Sequence, residues 1–140
     1  MSNIEKKYEI KEEDFTHAGD ASIQVQRILK AVGCTPALVR RAAICAYESE
    51  MNVVMHGGAG TMSLYIDTEK IVLEVKDNGP GIPDIELAFK EGFSTAQDKH
   101  RELGFGAGMG LPNIKKNVDS VEVESPDGGG ICLKMSFGMG

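Results

Sequence analysis

The chain has 140 residues, 41% hydrophobic and 26% charged, a size and composition suited to one globular domain. A net charge of −6, 6% aromatics and no Trp argue against a phosphate backbone or a base-stacking surface as the main ligand. Cys34, Cys45 and Cys132 lack Cys-x-x-Cys spacing, and no export signal or membrane-length apolar run is present, so the sequence reads as cytoplasmic without a disulfide framework or zinc site.

In chain order, Tyr8 to Asp14 predicts an edge strand, with charges alternating against Tyr8 and Ile10. Asp20 is suited to cap a helix over Ala21 to Val32, where Ile23, Ile28 and Leu29 repeat at helical spacing and Gly33 stops it. Thr35 caps a second, longer helix with Pro36 at its first position, running through Leu38, Ala42, Ala46 and Val53 to His56-Gly57. After the turn Gly57–Gly60, the strands Thr61 to Asp67 and Ile71 to Lys76 are joined by Thr68-Glu69-Lys70. Asp84 caps a short helix through Phe89, and Glu91 to Leu103 reads as a mobile loop. A helix over about Pro112 to Val118 follows, then strands Ser120 to Ser125 and Ile131 to Phe137 around the turn Pro126–Gly130. The fold class is therefore α+β: a two-layer α/β sandwich in one domain, residues 1–140, its mixed, largely antiparallel sheet packed on three main helices.

Three motifs carry chemistry. Glu48 and Asn52 stand one helical turn apart, and His56 continues their stripe. An Asn52 amide oxygen is a hard ligand suited to Mg²⁺. Glu48 beside it can take a proton from an attacking hydroxyl or water. His56 is better explained by the helix dipole than as a ligand. Asp77-Asn-Gly-Pro-Gly81 ends a strand without a returning one, placing a carboxylate where it can accept from an exocyclic amine such as that of adenine. Gly79 and Gly81 let a flat ring lie against backbone there. The run Gly104-Phe-Gly-Ala-Gly-Met-Gly110 leads into a helix, whose first N–H groups favour an anion. It is neither a Walker-type loop nor a dinucleotide fingerprint. Ser94, Thr95, Lys99 and Arg101 precede it and can reach phosphates if that loop closes. Each motif also has a plain reading: a solvated helix face, a hairpin turn and a flexible linker.

Taken together, Glu48-x-x-x-Asn52, Asp77-x-Gly-x-Gly81 and Gly108-Met-Gly-Leu-Pro112 resemble the N, first G and second G boxes of the gyrase and histidine-kinase (GHKL) ATPase superfamily. The likeness covers about Tyr8 to Phe137. Short length, an N-terminal strand before the first helix and the ending Gly-Met-Gly-Leu-Pro-Asn-Ile-Lys-Lys are most similar to the anti-sigma-factor serine/threonine kinases; within these, Asn52 followed by His56-Gly-Gly-Ala-Gly60, and Gly108-Met-Gly-Leu-Pro112, are similar to the stress-signalling switch-kinase branch. The resemblance implies a histidine-kinase-like ATPase fold with ATP and Mg²⁺ as cofactors. Glu48 would be the catalytic base, Asn52 the Mg²⁺ ligand and Asp77 the adenine contact. The nucleotide-binding set would be Asn52, Asp77, Gly79, Gly81, Ile82, Ser94, Thr95, Gly106, Gly108, Met109, Gly110 and Leu111, with a lid over about 91–107 in which Gly104 and Gly106 act as hinge.

The implied partner is a small STAS-type antagonist phosphorylated on Ser or Thr, with a sigma factor, a phosphatase and a second copy of the chain as further partners, and no direct role for nucleic acid or membrane. The chain departs from the family where Gly130 is followed by Ile131 and Cys132 rather than Thr, an auxiliary adenine contact. No His-Glu-x-x-Pro phosphoacceptor precedes the domain, so a self-contained sensor kinase is disfavoured. The competing readings are an ATP-gated protein-binding module with little turnover, and a detached histidine-kinase catalytic domain.

Overall fold

A computed structural model describes residues 3–11, 17–54, 59–77, 110–124 and 131–139. These form β1 (Ile4–Ile10), α1 (Asp20–Ala31), α2 (Pro36–Asn52), β2 (Gly60–Ile66), β3 (Lys70–Asp77), α3 (Gly110–Asn117), β4 (Ser120–Glu124) and β5 (Ile131–Gly138). The expected helix from Asp84, the loop 91–103 and the turn 126–130 lie outside the described residues.

The sheet order is β1-β2-β3-β5-β4. Every described pair is antiparallel, in line with the largely antiparallel sheet expected from the sequence. Its register aligns one apolar face across the strands. Tyr8 pairs with Met62, Met62 with Val75, Val75 with Leu133, and Leu133 with Val123. The next row holds Leu64, Leu73, Met135 and Val121. Because side chains alternate across a strand, this register turns Glu5, Glu74, Lys134 and Glu122 to the other face.

β1 begins earlier than the sequence suggested, at Ile4, which pairs with Ile66. Lys6 interrupts the apolar alternation, which hid the first half of the strand. The β2–β3 connection is held by Asp67, whose carboxylate accepts the N–H of Glu69 at 2.7 Å and of Lys70 at 2.8 Å. Those donors stabilise the ionised carboxylate and lower its pKa.

The helices cover the apolar face, with α2 between α1 and α3. Thr35 caps α2 as expected, its hydroxyl accepting the Leu38 N–H at 3.3 Å, with Pro36 opening the helix. α2 buries Leu38, Val39, Ala42, Cys45, Ala46 and Ser49, mostly small residues that let its neighbours approach. Leu29, Ile114 and Phe137 are fully buried in the shared core. Each such side chain contributes roughly 1.5–3 kcal/mol by leaving water.

α1 corrects two expectations. Its buried stripe is Ala21, Ser22, Val25 and Leu29, while Ile23 is 46% exposed. Its N-cap is Gly19, left-handed at φ 97°, with Asp20 already helical and no capping side chain from its own segment. The free N–H groups of Ala21 and Ser22 instead donate to the Glu50 carboxylate on α2, at 3.2 and 3.0 Å. α3 also starts earlier than Pro112, at Gly110; Pro112 falls in its first turn, where a missing N–H costs nothing.

Candidate functional site

The last turns of α2 carry Glu48 and Asn52 on one side and Glu50 on the other. Residues two apart on a helix diverge by about 200°, so Glu50 faces α1 while the other two share a stripe. Glu50 is 3% exposed; Glu48 and Asn52 are half-buried. The Asn52 amide has no hydrogen-bond partner among the described residues. Such an amide is open to a ligand oxygen or a cation. After Asn52 the helix widens into a π-type turn at Val53 and Val54. His56 lies outside the described residues.

α3 runs antiparallel beside α2. Arg41 Nε donates to the Asn117 carbonyl at 2.9 Å, and Cys45 Sγ to the Ile114 carbonyl at 3.8 Å. One turn further along α2 stands Glu48, with Asn113 of α3 near its carboxylate. Moving up α2 thus means moving back along α3, so the N-terminus of α3 lies toward the turn that bears Glu48 and Asn52. Burial raises the Glu48 pKa above its ordinary value, and the Asn113 hydrogen bond opposes that rise. Burial also pushes the Cys45 thiol up to about 12, with Arg41 and Glu48 as opposing nearby charges. Cys34, Cys45 and Cys132 are all free. On its other side, Glu48 borders a groove of about 860 Å³ between α1 and α2, floored by Ser22, Ile23, Val39, Ile44 and Tyr47.

Asp77 ends β3, opposite Ile131 at the start of β5, and its Oδ1 accepts the Ile131 N–H at 3.2 Å. The position where this chain departs from the family's Thr is therefore the one directly across from Asp77. Gly60 brings this strand end against α2. A Cβ there would lie 2.5 Å from the Lys76 carbonyl, 2.9 Å from Val53 Cγ1 and 3.3 Å from Asp77 Cβ. Only a residue without a side chain permits that approach. Asn52, the residue before Val53, and Asp77 are thereby gathered at one end of the two layers, with α3 beginning beside them.

The structure places Glu48 and Asn52 on one stripe of α2, Asp77 at the strand end that Gly60 brings against Val53, and Gly110 and Leu111 at the start of α3. Gly79, Gly81, Ile82, Ser94, Thr95, Gly106, Gly108 and Met109 lie outside the described residues. Sequence reasoning missed Gly60, whose role needs the β2–β3 pairing and α2 together. Among the described residues no cluster of His, Cys, Asp and Glu forms a metal cage. A lone amide is the kind of donor that suits Mg²⁺ shared with phosphates.

Comparisons with known proteins agree with this fold. The sequence profile described as a histidine kinase-like ATPase domain matches residues 12–137. An anti-sigma F factor of Thermoanaerobacter sp. (strain X514) is 36% identical over 94 residues, covering 64% of this chain and 62% of that protein. The serine/threonine-protein kinase RsbT of Bacillus subtilis (strain 168) is 34% identical over 98 residues, covering 66% of this chain and 68% of that protein. The chain thus matches somewhat under two thirds of the anti-sigma F factor's length. Among solved structures, the mycobacterial sensor histidine kinase MprB superposes with a TM-score of 0.58 at 18% identity, covering 96% of this chain and 97% of that one. The catalytic domain of histidine kinase ThkA gives 0.55 at 14% identity, covering 99% and 97%. At such identities these two likenesses speak for the fold.

Proposed function

Since this chain belongs to the histidine kinase-like ATPase family, we propose that it is an ATP-dependent serine/threonine protein kinase of the anti-sigma-factor type. Its acceptor is a Ser or Thr on a small STAS-type protein, whose phosphorylation switches partners that include a sigma factor and a phosphatase. The single observation that carries this reading is the pairing, on one turn of α2, of a half-buried carboxylate with an amide that has no hydrogen-bond partner among the described residues. The names borne by the anti-sigma F factor and RsbT relatives support the same branch.

The residues fit the cofactor. Asn52 would hold Mg²⁺ through its amide oxygen, Asp77 would accept from the adenine amine, and the first N–H groups of α3 would meet phosphate oxygens. Bound Mg²⁺ would supply charge neutralisation on the phosphates. Glu48 would take the proton of the acceptor hydroxyl, and its partly buried setting, tuned by Asn113, keeps it basic enough to do so. Gly79, Gly81, Ile82 and the segment 91–107 would complete the pocket and its lid.

Incubating the chain with γ-labelled ATP, Mg²⁺ and a STAS protein encoded beside it tests the reading. Transfer to Ser or Thr, lost in Glu48→Ala while ATP still binds, is the expected result. ATP binding without transfer to any cognate STAS protein would leave a gated binding module instead. Acid-labile phosphate on the partner would point to a detached histidine-kinase domain.

A further inference from the structure

We propose that the groove between α1 and α2 is the docking site for the phosphoacceptor protein, which lays there one face of an amphipathic helix, apolar along its length and acidic at one end. The inference rests on the reading of the chain as a protein kinase and names the chemistry by which its partner is held.

The two helices run antiparallel, since Glu50 near the end of α2 accepts the N–H groups of Ala21 and Ser22 at the start of α1. At the opposite end the turn into α2 is closed by the Cys34 N–H, which donates to the Leu29 carbonyl at 3.1 Å. The walls are thus pinned at both ends, and the groove needs little ordering when a partner arrives. From Gly19 to Lys30 it runs about 16 Å, or about three helical turns.

Its lining is apolar beyond what the core requires. Ile23 and Tyr47 are 46% and 42% exposed, and both face the groove together with the half-buried Ile44. The Tyr47 ring leans across to α1, its Cε1 3.7 Å from the point where a Cβ on Gly19 would stand. Single exposed apolar side chains are common, but several sharing one preformed groove with a polar rim mark a protein-binding surface. A helix seated along such a groove buries its own apolar face.

The rim supplies the charge that selects the occupant. Lys30, in the last turn of α1, and Arg40, in the first turns of α2, stand at the end away from Glu48. Neither has an ion-pair partner among the described residues. In a chain of net charge −6, an unmatched basic pair beside an apolar lining favours an acidic partner. It also disfavours the apolar side chains of a second copy alone. At its other end the groove opens beside Glu48, so a partner held along it has its surface next to the proposed base. That is where an acceptor hydroxyl has to be.

The test titrates the full chain calorimetrically with the STAS protein of the transfer assay, at low and high salt. Ile23→Asp, and Lys30→Glu combined with Arg40→Glu, each weaken binding about tenfold or more at low salt. Both raise the KM for the acceptor, while ATP affinity and the urea midpoint stay at the parent's values, because all three side chains are exposed. High salt removes most of the effect of the charge reversal and little of that of Ile23→Asp. Lys7→Glu with Lys134→Glu makes the same change in net charge on the opposite face of the sheet and alters binding far less. Parent-like binding in both groove variants overturns the docking site, and transfer at a parent-like KM then leaves the kinase reading standing. Groove-dependent binding without any transfer upholds the site and overturns the kinase. Groove variants that lose self-association in sedimentation, and keep acceptor binding, overturn the acceptor as occupant in favour of a second copy.

Discussion

The carboxylate of Glu50 reaches 28 residues back to accept the backbone N–H of Ser22 at 3.0 Å, closing the N-terminus of α1 from α2. A second N–H, from Ala21, binds the other oxygen at 3.2 Å. Removing the acceptor in Glu50→Ala strands two buried donors and opens a cavity, and costs about 2–4 kcal/mol. Glu50→Gln retains one acceptor oxygen and loses roughly half of that. Urea denaturation measures both; a Glu50→Ala variant as stable as the parent would remove Glu50 from the framework.

Gly60→Ala forces a methyl between the Lys76 carbonyl and Val53. The strain of an overpacked contact is about 1–3 kcal/mol. Because the contact joins α2 to the end of β3, ATP affinity falls along with stability. Paired denaturation and calorimetric titration with ATP check this. Unchanged values in both would show that the two elements separate without cost.

Asp77→Asn keeps an oxygen for the Ile131 N–H, so the β3–β5 pairing survives. What it loses is an ionised acceptor for an amine, and an amide turned the wrong way adds a clash of donors. Nucleotide affinity drops by about 1–3 kcal/mol while thermal stability stays close to the parent. Equal ATP affinity in the variant would exclude Asp77 from the adenine pocket.

Asp119 gives the fold an acid-side dependence. Its pKa is lowered first by the Gly138 N–H, which it accepts at 2.6 Å, and then by Arg41. A depressed carboxylate adds stability above its unfolded value, near pH 4, and that contribution disappears as pH falls through the lower folded value. Asp119 and Arg41 are 50% and 36% exposed, so solvent screens the ion pair and the effect is small. Asp119→Asn flattens the decline in urea midpoint below pH 4. High salt weakens the Arg41 share and leaves the Gly138 share. An identical decline in the variant would assign the acid sensitivity elsewhere.

Local chemistry was legible in the sequence, and distant chemistry was not. Thr35-Pro36 signals its own helix start because the capping hydroxyl and the N–H it accepts lie three residues apart. The α1 start reads as Asp20 in the sequence because its true acceptor, Glu50, belongs to another helix. Lys6 masked the start of β1, since an exposed edge tolerates a charge on the apolar parity. Ile23 repeats at helical spacing, yet the smaller Ala21 and Ser22 face α2 and leave Ile23 at the surface. Residue type and spacing single out Glu48, Asn52 and Asp77 as the candidates on which the proposed site rests. Gly60 acts only through neighbours that the fold supplies.

The α2–α3 seam joins residues 69 to 78 positions apart, whereas the Asp67 turn closes a hairpin between neighbours. Loop closure over such separations is slow relative to hairpin formation. Glu48 is held by the seam and Asp77 ends the hairpin, so the nucleotide pocket is completed late in folding. In stopped-flow refolding, recovery of ATP binding should lag the return of far-ultraviolet circular dichroism; simultaneous recovery would mean that the seam forms with the sheet.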